Sequence, residues 1–190
     1  QLFNQTNFSN STWWQLKADV KGYRDEIGYD LVTEIAKNRI FRFLELNLKK
    51  INLKGKSRYL VQLFDDGYIC WIDISGLEID QFDDFHHKIV KCDEIFIKNK
   101  IPEIIDWILS QSKKVNFYKW GGTLGPNFDC SGLIQTAFMI HGINIPRDSY
   151  QIRNFCKHLF HFPGFVEDLK EGDLLFFGDN NKCNHVAIYI

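Results

Sequence analysis

Two side chains far apart in this sequence are suited to chemistry as a pair, a cysteine and a histidine. Cys130 stands in Phe128-Asp129-Cys130-Ser131-Gly132-Leu133, where a helical pattern begins. A thiol there meets the positive end of the backbone dipole and several unpaired N–H groups, and both favour the thiolate. The small residues beside it open the backbone around the sulfur. Cys70, Cys92 and Cys156 are read as small buried hydrophobes, the default for a free cysteine. Among six histidines, His86 and His87 fall in an acidic stretch, His141 at a helix end, and His158 and His161 in loop-like sequence. His185 alone opens a strand-like run, through Ile190, where a side chain can be held rigidly. A Cys and a His distant in sequence can meet in space as an ion pair, which activates the sulfur as a nucleophile. Cys183 and His185 also form a C-x-H pair, but two ligands without a C-x-x-C partner are too few for a structural zinc. Neither a metal nor a cofactor is expected.

The elements that must position this pair come in two textures. From Trp13 to Leu77 the sequence predicts short strands: an extended start through Leu16 and Val20, then Arg39 to Leu46, Arg58 to Phe64 and Tyr68 to Ile74. Turn signals at Asn52 to Lys56 and at Asp65-Asp66-Gly67 separate the last three, and strands so short and so spaced predict a small β-barrel. After a charged stretch, Pro102 precedes apolar residues at Ile104, Ile105, Ile108 and Leu109, which predicts an amphipathic helix with proline at its first position. A Gly-rich turn from Gly121 to Pro126 leads to a second helix, with Leu133, Ile134, Ala137, Phe138 and Ile140 on one face and Gly142 as its left-handed stop. Asp148 and Ser149 are placed to cap a third helix reaching about Cys156. Strands at Asp173 to Phe177 and His185 to Ile190 close the chain, so the second half reads as an α+β domain.

Composition excludes several other classes. The 190 residues are 45% hydrophobic and 25% charged, which suffices for a packed core. A net charge of −1 argues against a nucleic-acid partner, since such proteins carry a basic excess on their binding face. Five widely spaced cysteines with no C-x-x-C pair do not make a disulfide framework. The longest apolar stretches fall far short of the roughly 20 residues of a membrane span, and no export signal is visible, so a soluble chain is expected. Three Asn-x-Ser/Thr matches, at Asn4, Asn7 and Asn10, lie in what reads as a polar, frayed terminus.

The segment from Tyr118 to Gln151, with Glu171 to Gly178 and His185 to Ile190, resembles the signature of the NlpC/P60 family of cysteine peptidases in order and spacing. The β-rich half, chiefly through Asp65-Asp66-Gly67-Tyr68 and Trp71, is similar to the bacterial SH3 domain of the family's γ-D-glutamyl-L-diamino acid endopeptidases, especially the cyanobacterial type. The resemblance implies a polar tail over residues 1–12, an SH3-like β-barrel over 13–80, a linker over 81–97 and a papain-like α+β peptidase domain over 98–190. It implies Cys130 as nucleophile, His185 as its base, and Tyr118 beside the sulfur, helping the Cys130 N–H stabilise an oxyanion. Asp148 and Ser149 match the pair that grips the substrate's free amine and neighbouring carboxylate, Tyr68 a tyrosine that closes the substrate pocket, and Ser131 a residue that assists at the substrate carboxylate. Asp129 and Trp120 shape the site.

The family's third polar residue, usually His, falls on a strand after Ile190, so the sequence reads as a C-terminally incomplete peptidase domain. The implied substrate is a murein peptide, L-Ala-γ-D-Glu-diamino acid, cut between γ-D-glutamate and diaminopimelate or another diamino acid. The expected setting is cytoplasmic recycling of such peptides, with the periplasm as alternative. Two other readings are a broader peptidoglycan hydrolase anchored by its SH3-like domain, and an inert wall-binding module.

Overall fold

The computed structural model describes residues 12–44, 58–83, 92–159, 166–179 and 182–190. The three Asn-x-Ser/Thr matches, the Asn52 to Lys56 turn, the end of the strand expected to reach Leu46, and His86, His87 and His161 lie outside them. The chain divides into two compact units, residues 1–89 with 120–124, and residues 90–119 with 125–190.

In the first unit the described elements are all β-strands. Strands β1 (Trp13–Leu16), β2 (Val20–Tyr23), β3 (Leu31–Ile35), β4 (Ile40–Phe43), β5 (Arg58–Leu63), β6 (Ile69–Asp73) and β7 (Ile79–Phe82) make one sheet in the order β3-β2-β6-β5-β4-β1-β7. Every pairing is antiparallel. Strand β6 shows why these residues pleat: Cys70 and Ile72 are buried while Ile69 and Trp71 are not, the period-2 alternation of a one-sided strand. Its register against β5 sets Val61 opposite Cys70 and Tyr59 opposite Ile72. The core gathers Leu16, Val32, Ile35, Phe41, Phe43, Val61, Leu63 and Ile72, each such side chain stabilising the fold by about 1.5–3 kcal/mol on burial.

The turn expected at Asp65-Asp66-Gly67 joins β5 to β6, with Gly67 at φ 69°. The Gly67 N–H donates to the Leu63 carbonyl, and buried Arg39 holds both Asp65 and Asp66, at 3.2 and 3.0 Å. The expected small SH3-like β-barrel is not confirmed: among the described residues end strands β3 and β7 are not paired with each other, and no closed barrel is found. Strand count and spacing do not determine closure, which depends on tilt and stagger.

The second unit holds α1 (Glu94–Ser112), α2 (Cys130–Ile140), α3 (Ser149–Phe155), a short 3₁₀ turn at Val166–Asp168, and the antiparallel pair β8 (Leu174–Asp179) and β9 (Lys182–Ile188). This is the mixed helix-and-sheet character expected of it. Helix α1 begins eight residues before Pro102, capped by Asp93, and runs through the proline. Phe96, Ile97 and Ile101 pack on the same core as Ile104 and Ile108, so apolar burial along one face offsets the roughly 3 kcal/mol an interior proline costs. β7 and α1 thus take residues 81–82 and 94–97 out of the expected linker. Helix α2 ends as Gly142 requires: at φ 82° the glycine donates to the Met139 carbonyl while Ile143 donates to that of Phe138, a Schellman stop.

Candidate active site

Cys130 is the first residue of α2, half-buried, with Asp129 as the N-cap. The Tyr118 hydroxyl donates toward its sulfur at 3.9 Å. Partial burial of the phenol first, and then its charge interaction and hydrogen bond with Cys130, raise the Tyr118 hydroxyl above its ordinary range, although the residue is 60% exposed. It therefore remains a proton donor at neutral pH. Burial raises the Cys156 thiol, and burial ahead of the charge of Asp66 pushes the Cys70 thiol up to about 12. All five cysteines are free.

Around Asp129 lies a buried polar cluster. Its Oδ1 accepts from the Gly132 N–H at 2.6 Å and from Arg147 Nη1 at 3.1 Å, and its Oδ2 accepts from Arg147 Nη2 at 2.6 Å. Arg147 Nη1 also donates to the Ser131 hydroxyl at 2.9 Å, and that hydroxyl donates to Asp129 at 3.3 Å. Arg147 is only 2% exposed. No local signal in the sequence marks this residue, a single charge between Pro146 and Asp148. Asp148 caps α3 and is half-buried, and its N–H donates to the Gln151 side chain at 3.1 Å. Ser149 opens α3 and is buried.

His185 is exposed within β9, opposite Phe177 of β8, with the two rings 5.9 Å apart. The strand begins at Lys182, three residues before the expected start, so the imidazole sits on hydrogen-bonded backbone. Its neighbour Val186 points into the core that holds α2 residues Ile134, Ala137 and Phe138, and α2 packs against β9. The second unit thus brings together Cys130, Tyr118, Asp129, Ser131 and Arg147 through direct contacts, and carries His185 on the strand packed against the same helix.

Tyr68 belongs to the first unit, where it follows the β5–β6 turn. Its N–H donates to Asp66 at 2.9 Å and its carbonyl accepts from Leu63. Residues 120–124, from the Gly-rich turn before Cys130, also belong to that unit. There the buried carboxylate of Glu34 accepts from the N–H groups of Thr123 and Leu124, both at 3.3 Å. Gly121 lies at φ 73°, where a Cβ would stand 2.8 Å from Leu31 Cγ and 2.9 Å from its carbonyl oxygen. Only glycine fits that approach. Trp120 is 60% exposed. Among the described residues no three His, Cys, Asp or Glu side chains cluster as a metal site, and no helix is long and apolar enough to cross a membrane.

Residues 115–190 match the model of the NlpC/P60 family. A γ-D-glutamyl-L-lysine dipeptidyl-peptidase of Bacillus cereus is 46% identical over 80 residues, 38% of this chain and 21% of that protein. A probable endopeptidase NlpC homolog of Haemophilus influenzae is 38% identical over 74 residues, 38% of this chain and 36% of the relative. The chain thus spans about a fifth to a third of these relatives. A crystal structure of an NlpC/P60 family protein from Bacillus cereus aligns with 95% of this chain and 52% of that one, at 23% identity and a TM-score of 0.41.

Proposed function

We infer, from the NlpC/P60 family domain that residues 115–190 form, that this chain is a cell-wall cysteine endopeptidase. It hydrolyses the bond between γ-D-glutamate and a diamino acid in murein peptides that begin with free L-alanine. The observation that carries the reading is Cys130 at the first turn of α2 with the Tyr118 hydroxyl directed at its sulfur.

In this reading His185 takes the thiol proton and the thiolate attacks the γ-carbonyl carbon. Tyr118 and the Cys130 N–H stabilise the oxyanion that forms. The C–N bond then breaks, the departing amine takes the proton from the imidazolium, and a thioester remains on Cys130. Water attacks the thioester, its proton passing through His185, and releases the glutamate carboxylate. Asp148 supports recognition of the substrate ammonium, with Ser149 beside it at the α3 start, and Tyr68 is assigned by the same reading to substrate selection.

The test is turnover of L-Ala-γ-D-Glu-diaminopimelate by the intact protein. Cys130→Ala abolishes it, and iodoacetamide labels Cys130 ahead of the other thiols. Asp148→Asn preserves the cap and lowers kcat/KM about ten- to hundredfold, the worth of one lost charge-assisted contact. Acetylating the L-alanine amine stops cleavage, whereas undiminished cleavage of the blocked peptide would favour a hydrolase of intact peptidoglycan. Full activity in Cys130→Ala would end the cysteine mechanism.

A further inference from the structure

We infer that Arg147 is a positioning residue for the Cys130 thiol: through Asp129 it fixes the first turn of α2 and cancels the carboxylate charge standing next to the sulfur. The inference rests on the reading of Cys130 as nucleophile. Burying a guanidinium is costly, and arginine cannot escape the cost by losing its proton. Arg147 is nonetheless buried, with both terminal nitrogens on the two oxygens of Asp129, the paired geometry that arginine makes best.

Asp129 is at once the cap of α2 and the residue preceding Cys130, so whatever holds this carboxylate also fixes the backbone carrying the sulfur. Because Arg147 adjoins Asp148, the same guanidinium ties the start of α3 to the start of α2. Capping alone does not require a charge, since asparagine caps as well as aspartate. Stability alone does not require an ion pair either, since apolar replacements of similar volume are often neutral or better. What the pair adds is neutrality beside the thiol.

The Tyr118 hydroxyl is directed at the sulfur from the preceding loop; the other ionisable groups on the elements that meet here are Asp129 and Arg147 at the helix start and Lys182, Cys183 and His185 on β9, the strand packed against α2. From α1, the residues buried in the core shared with α2 are the apolar Ile104 and Ile108. The pH dependence of Cys130 alkylation by iodoacetamide, read by peptide mass spectrometry on the 190-residue chain, therefore reports the balance directly and needs no turnover. Arg147→Met takes away the guanidinium charge and moves the alkylation midpoint up by about one pH unit, while Asp129→Asn takes away the carboxylate charge and moves it down by a similar amount. The double variant returns it to the wild-type position. A merely structural contribution loosens the site in both single variants and moves them the same way. Equal signs, or no movement in folded variants, overturn the inference. If Arg147→Met does not fold, Asp129→Asn decides: a midpoint that fails to fall rejects the role. The peptidase reading itself falls separately, on retained turnover in Cys130→Ala.

Discussion

Helices α1 and α2 start alike, each with an aspartate whose carboxylate accepts an N–H three residues on: Asp93 from Phe96 at 2.8 Å, and Asp129 from Gly132 at 2.6 Å. Their surroundings separate them. Asp93 is exposed, and the next residue, Glu94, pairs with solvent-facing Lys98 at 2.6 Å. Asp129 is buried against Arg147, 18 residues away in sequence. The same local rule that tells a helix where to begin produces an ordinary surface cap in one case and the base of a candidate nucleophile in the other. A cap becomes part of a site when a distant residue encloses its charge.

Unfolding measurements can break that comparison. The largest effect is expected for Asp129→Ala, which removes the carboxylate paired with a buried guanidinium and costs about 3–5 kcal/mol in urea titrations. Asp93→Ala loses only a cap and costs about 1 kcal/mol. Equal losses at the two positions would mean that Arg147 adds nothing at the α2 start. The smallest effect is expected at Glu94, whose carboxyl is held below its ordinary range by the hydrogen bond from Lys98 and then by that residue's charge. A lowered folded-state pKa contributes stability above the unfolded carboxylate pKa and loses it as pH falls. For so exposed a pair, Glu94→Gln leaves the melting temperature at pH 7 where it was.

How much of this could be read from sequence follows the same division between local and distant causes. The short strands β5 and β6, the Asp65-Asp66-Gly67 turn between them, the Gly142 stop and the position of Cys130 at a helix start are all local patterns, and the fold contains them. Strand β3 went unread because it buries Thr33 and Glu34, which break the apolar alternation. The partners that satisfy Glu34 are backbone groups 89 and 90 positions further on. Strand β7 is short and polar, at the end of the sheet. Pro102 marked a helix start by its usual preference, but the apolar face reaching back to Phe96 outweighed it. Arg147 could not be ranked as more than a charge in a loop, because its value comes from a partner that only folding brings to it.

The five residues 120–124 have a consequence for the order in which the chain is made. They belong to the β unit, yet they are translated after residues 90–119, which belong to the other. A ribosome adding about 5–20 residues per second takes roughly 2–7 s from residue 89 to residue 124, and throughout that interval the Glu34 carboxylate lacks the N–H groups of Thr123 and Leu124. The β unit therefore cannot be finished as the first bead on a string. Its last piece arrives just before Cys130, and a deletion that removes residues 1–89 does not excise a self-contained module but leaves the approach to the cysteine without its native hydrogen-bond acceptor.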